Sequence, residues 1–250
     1  METLSTEHLK KLNLKRVYTG SYNYFYKGTN YCEEYFEVLK SKEKSSFQFN
    51  SEMISRTKKG EIFQAIVNFT VNHNFVPVLV QIQKQLGQEN CKEVYKLNEI
   101  TNSLEYRFYN RGVMERREIK VPAKYHIAAP TTSQSMLFIQ SKNFETLSKQ
   151  GYKLIQNDNS WVFKNAPYDS NMIVEKMSNS RKTIVLNGHK VKASPFTLYS
   201  ENQNDPQTNI NERLIVHVSK YHSIPYLIED QANDHRIEIV KLKNLVADET

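Results

Sequence analysis

The sequence predicts an all-β protein, a single strongly curved and mainly antiparallel sheet rolled into a half-barrel, with one or two short helices against its concave face. Three observations carry that expectation. Val, Ile, Phe and Tyr recur with period two in one segment after another, which is the signature of strands with one buried face. Six of the seven glycines, Gly28, Gly60, Gly87, Gly112, Gly151 and Gly188, fall between those segments, where a meander would turn. Gly20 stands inside a strand pattern, where a missing side chain marks a bend or bulge.

In chain order, residues 3–14 place Leu4, His8, Leu9 and Leu12 at near-helical spacing, so a short helix or arm is expected over 1–15. From Arg16 the period becomes two, with Tyr18, Tyr22, Tyr24 and Tyr26 on one face. Residues 31–39, 47–54, 62–71, 76–86, 94–97, 104–109 and 113–121 continue the pattern, with Phe63, Ala65, Val67, Phe69 and Val71 sharing one side of their strand. Pro130 and the hydroxyls of Thr131, Thr132 and Ser133 suit a helix start, so a helical turn or two is expected around Met136–Ile139. The meander resumes at 152–155, 161–163, 173–177 and 183–186. Asn187-Gly188 is the strongest hairpin turn in the chain, since both residues tolerate the positive φ of a type I′ turn. Segments at 196–199, 214–219, 226–228 and 237–242 close a single domain over 16–250.

Composition bounds the function classes. The chain has 250 residues and a mean hydropathy of −0.64, with 15 Tyr and 12 Phe to build a core whose outer face is wet. No stretch reaches the roughly 20 apolar residues of a membrane helix. Residues 1–10 lack the apolar stretch of a secretory signal, so a cytoplasmic location is expected, or a periplasmic one if a leader was replaced by the initiator Met. Two cysteines, Cys32 and Cys91, make neither a metal site nor a disulfide framework, although one bridge between neighbouring strands is open. The net charge of +7 invites a nucleic-acid reading, but the lysines are spread along the chain instead of clustered.

No motif announces a reaction. Isolated glycines exclude a P-loop and a dinucleotide-binding turn, and there is no Gly-x-Ser-x-Gly elbow. The seven histidines show no zinc-protease spacing; His217, His222 and His235 would converge only if their strands were neighbours. Glu33 and Glu34 alternate faces and cannot share a proton. In the hairpin 104–120, Arg116 and Arg117 each have a same-face carboxylate two residues away, Glu118 and Glu115, which describes a self-neutralised surface. The sharper alternative has one inward arginine, Arg116, anchoring an acidic ligand head group. No catalytic residue, metal or cofactor is expected.

Three stretches carry a resemblance: Tyr18–Tyr22 leading into Glu34–Val38, Phe75-Val76-Pro77 returning through Val94–Leu97, and Tyr226–Asp230 followed by His235–Ile239. Their order resembles the half-barrel proteins similar to bacterial lipoprotein carriers, in which a curved sheet wraps a short helical lid around an apolar cavity. The resemblance implies a non-catalytic carrier of a lipid or other hydrophobic molecule; the lining expected from alternation is Tyr22, Tyr24, Phe47, Phe49, Phe69, Val78, Val80, Met136, Leu137 and Trp161. The alternatives are a cofactor-free enzyme in the same cavity, using His217, His222 or Arg116, and a basic module for nucleic acid or a protein partner.

Overall fold

The computed structural model describes residues 13–41, 43, 45–141, 144, 149–201, 213–230 and 232–246. Among these residues sixteen strands follow one another: β1 (Leu14–Tyr26), β2 (Thr29–Ser41), β3 (Phe47–Arg56), β4 (Ile62–Val71), β5 (Pro77–Leu86), β6 (Glu89–Asn98), β7 (Ser103–Asn110), β8 (Val113–Lys120), β9 (Tyr125–Ile127), β10 (Lys149–Gln156), β11 (Tyr168–Lys176), β12 (Lys182–Leu186), β13 (His189–Ser200), β14 (Leu214–Val218), β15 (Pro225–Asp230) and β16 (His235–Asn244). The expected N-terminal helix falls almost wholly outside the described residues; Leu14 and Lys15 are already strand.

All sixteen strands form one sheet in the order β8-β7-β6-β5-β4-β3-β2-β1-β16-β15-β14-β13-β11-β10-β9, with β12 paired to β13. Every pairing is antiparallel except β9 with β10. The sheet is continuous because the first strand pairs with the last, Tyr18 opposite Asn244 through Tyr26 opposite His235. Laid flat, such a path of strands would span about 65 Å at ~4.8 Å per strand. Yet its two edge strands, β8 and β9, are joined by residues 121–124 alone, a reach of about 18 Å at most. The sheet must therefore roll until its edges meet. The edges do not pair: β9 tucks inside against β5, where the Tyr125 hydroxyl donates to the Pro77 carbonyl at 2.6 Å. The result is barrel-like but not closed.

Gly20 permits part of that curvature. A Cβ there would overlap the Phe36 ring and the Lys241 carbonyl, so the position requires glycine for close approach. The β1–β16 register slips immediately beyond it, between Ser21 and Tyr22. The Asn187-Gly188 turn pairs Lys182–Leu186 with His189–Ala193 as expected, with φ of 48° at Asn187 and 79° at Gly188.

Three expectations need correction. The helical segment is no α-helix but a single 3-10 turn, Leu137–Ser141. In its approach the Gln134 side chain donates back to the Thr131 carbonyl at 2.8 Å, a local side-chain bond that competes with helix formation. Gly151 lies inside β10, opposite Ile173, not in a turn. Residues 161–163 are loop, because the Asn159 side chain accepts from the amides of Lys164 and Asn165 and donates to the Asn165 carbonyl, curling the chain before a strand can form.

Candidate ligand-binding face

On β1 to β5 the inward parity is apolar apart from Glu34 and Ser51. Tyr22, Phe36, Phe49, Val67, Phe69 and Val80 join one buried cluster, and Tyr22 stacks on Phe36 with ring centroids 5.4 Å apart. The segment 128–141 fills the concave side. Leu137 belongs to the same buried cluster, whereas Met136, Phe138 and Ile139 join a second cluster with Val174, Phe196 and Val216. The plug thus lies between the two halves of the roll.

A polar clasp holds it. Glu34 on β2 shares the inward parity of Cys32, Phe36 and Val38, and it is 0 % exposed. Its carboxylate accepts from the Thr132 amide at 2.6 Å, the Ser133 amide at 3.1 Å and the Tyr24 hydroxyl at 2.5 Å. Tyr24 also meets the Thr132 hydroxyl at 2.8 Å, so the plug touches two strands at one point. Beside it Ser51 on β3 donates to the Thr131 hydroxyl oxygen at 3.1 Å, and Gln134 bonds back to Thr131. Burial pushes the Glu34 carboxyl above its ordinary range, against the pull of the Tyr24 hydroxyl and the two amides. No cation among the described residues pairs with it.

A second buried carboxylate organises the loop 157–165. Glu93 on β6, also 0 % exposed, accepts from Lys84 on β5 at 2.8 Å, from Tyr95 and Tyr106 at 3.2 Å each, and from the Asn157 amide at 2.6 Å. Asn159 donates to the Tyr106 hydroxyl at 3.0 Å, and the Cys91 thiol donates to the Ser160 carbonyl at 2.9 Å. Burial raises the Cys91 thiol to about 11 and the Cys32 thiol to about 12; both cysteines are free.

The structure gathers most of the lining residues inferred from alternation. Tyr22, Tyr24, Phe47, Phe49, Phe69, Val80 and Leu137 share the main core, and Trp161 packs against it from the loop, its ring edge-on to Phe63 at 6.4 Å. Met136 sits in the second cluster, and Val78 is half-buried outside both. Arg116 lies elsewhere. Its side chain is 65 % exposed and pairs with Glu105 at 3.1 Å, in an outer groove of about 690 Å³ that also carries Lys96, Glu99 and Glu118. The expected partner Glu118 accepts instead from Ser103, while Arg117 does pair with Glu115 at 3.1 Å.

The three histidines do not converge. His222 packs on Phe47 and Tyr18 near one end of β1, and His235 on Tyr26 at the other, eight residues or about 26 Å away. His126 is one of the seven histidines that no motif distinguishes in the sequence. It is buried between Phe69 and Phe138 with no partner for Nδ1, and burial lowers its pKa to about 3. Glu34 stands out in the sequence only as the neighbour of Glu33 on the opposite face, and Glu93 not at all. The signal available was a carboxylate at the apolar parity of its own strand. Among the described residues no group of three or more His, Cys, Asp or Glu is placed to hold a metal ion, and no helix is long and apolar enough to cross a membrane.

No protein-family profile and no curated protein sequence matches the chain. Among solved structures, it is similar to a β-barrel-like protein of the domain of unknown function DUF1849 from Brucella abortus. The TM-score is 0.61 at 9 % identity, over 92 % of this chain and 98 % of that one. A DUF1089 family protein from Pseudomonas aeruginosa matches at a TM-score of 0.49 and 8 % identity, over 79 % of this chain and 89 % of that one. The first likeness shows a shared barrel-like all-β fold.

Proposed function

We propose that this chain is a non-catalytic binding protein that carries a lipid or similar apolar molecule on the concave side of its rolled sheet, in the manner of the half-barrel carriers it resembles. The observation that supports this reading is the inward wall of β1 to β5, apolar apart from Glu34 and Ser51, which shares its buried cluster with Leu137 of the plug and with Ile155, Leu227 and Ile239 of the facing strands. A ligand would take the place of residues 131–139. Burying an acyl chain contributes about 0.8 kcal/mol per CH₂, so a dozen carbons suffice to compete with a few plug side chains.

The arginine-rich hairpin favours no nucleic-acid role, since Arg107, Arg111, Arg116 and Arg117 all pair with glutamates. Native mass spectrometry of the purified chain, together with titration of a fluorescent apolar dye, tests the reading. Co-purified lipid or saturable dye binding at micromolar concentration is expected. Failure of both, or submicromolar salt-sensitive binding to DNA or RNA, would overturn it.

A further inference from the structure

The polar spot on the concave wall has a defined chemistry. Tyr24, Glu34 and Ser51 project from three adjacent strands, β1, β2 and β3, and the wall beside them is apolar. The plug meets this wall as an amphiphile would. Two backbone N–H groups and a hydroxyl sit at Glu34 and Tyr24, and the apolar run Met136–Ile139 follows three residues later.

A ligand that displaced the plug would strip Glu34 of both amides and leave it only the Tyr24 hydroxyl. A buried carboxylate short of donors is costly, so the incoming head group must supply N–H or O–H bonds in their place. A carboxylate head would instead set two anions against each other with no cation to bridge them. Resting on the carrier reading above, we infer that the concave site selects amphiphiles whose head group donates N–H hydrogen bonds, a long-chain primary amine in the simplest case, and rejects fatty acids. The bulk charge of the protein, +7, would favour the opposite order, so selection for an amine can only come from a local acceptor.

The test is displacement of N-phenyl-1-naphthylamine by dodecylamine, dodecanol and laurate, each below its micellar concentration. Dodecylamine is expected to displace the dye at least about tenfold better than laurate, the scale of one charge-assisted hydrogen bond. Glu34→Gln is expected to narrow that ratio to within about threefold, because the acceptor that distinguishes the heads is gone. If that variant fails to fold, the wild-type series decides alone. Equal displacement by all three, or a preference for laurate, overturns the head-group inference and leaves the carrier reading standing. If the dye does not bind and none of the three amphiphiles binds by calorimetry, both fall.

Discussion

Glu34 and Glu93 are both fully buried on the inner face of one sheet, yet their surroundings differ in kind. Glu93 is satisfied mainly by the sheet itself: Lys84, Tyr95 and Tyr106 come from β5, β6 and β7, and the loop adds one amide through Asn157. Removing that loop would leave an intact ion pair. Glu34 receives one bond from the sheet, from Tyr24, and two from the plug. Removing the plug would take away both amides and leave the Tyr24 hydroxyl. The difference teaches that the loop 157–165 closes the roll around a group already neutralised, whereas the plug 131–139 is the partner on which its carboxylate depends.

Substitutions can break this comparison. The largest effect is expected at the apolar foot of the plug. Leu137 is fully buried, so Leu137→Asp should cost about 4 kcal/mol or prevent folding, because the new carboxylate has no partner. Trp161→Asp in the half-buried loop should cost less than half as much by urea denaturation. A reversed order would mean that the loop, not the plug, anchors the roll.

Next in size is the pair of glutamines. Glu93→Gln strands the Lys84 ammonium, whose side chain is 19 % exposed, and should cost about 2 kcal/mol after allowance for that access to water. Glu34→Gln removes a desolvated charge while turning an NH₂ toward a backbone N–H, so its net cost should be nearer 1 kcal/mol. Equal costs in equilibrium unfolding would erase the distinction between the two carboxylates.

The pH dependence sharpens it further. Glu34 titrates higher in the folded protein than in the unfolded chain, so its stabilising contribution is full below the ordinary carboxylate range, about pH 4.3, and is lost as pH rises through the raised folded value. His126 acts in the other direction. Its folded pKa of about 3 means that stability is lost as pH falls from about 6.5 towards 3, by up to about 1.4 kcal/mol per pH unit. Urea unfolding between pH 4 and pH 8 should show the acid loss disappear in His126→Phe and the loss at higher pH disappear in Glu34→Gln. The smallest effect belongs to Arg116→Ala, within about 0.5 kcal/mol, since its pair with Glu105 is exposed to solvent. A larger loss of stability would show that the outer groove is part of the fold's support.

Alternation by itself located β1 through β8, though it caught only 94–97 of β6, and showed that Asn187-Gly188 turns a hairpin and that Tyr22, Phe49, Phe69 and Val80 face one core. These features are local: period two and turn chemistry are written within a few residues. It also carried the mark of Glu34, a carboxylate at the parity of Cys32 and Phe36, although the pattern alone could not name its partners. Only the tertiary structure decided that β1 pairs with β16, that β9 crosses to the far edge and runs parallel to β10, and that Arg116 stays outside while His126 goes inside. Those outcomes depend on closing the roll across the whole chain. Two of the donors for Glu34 lie 98 and 99 residues away, on backbone amides that carry no side-chain signature.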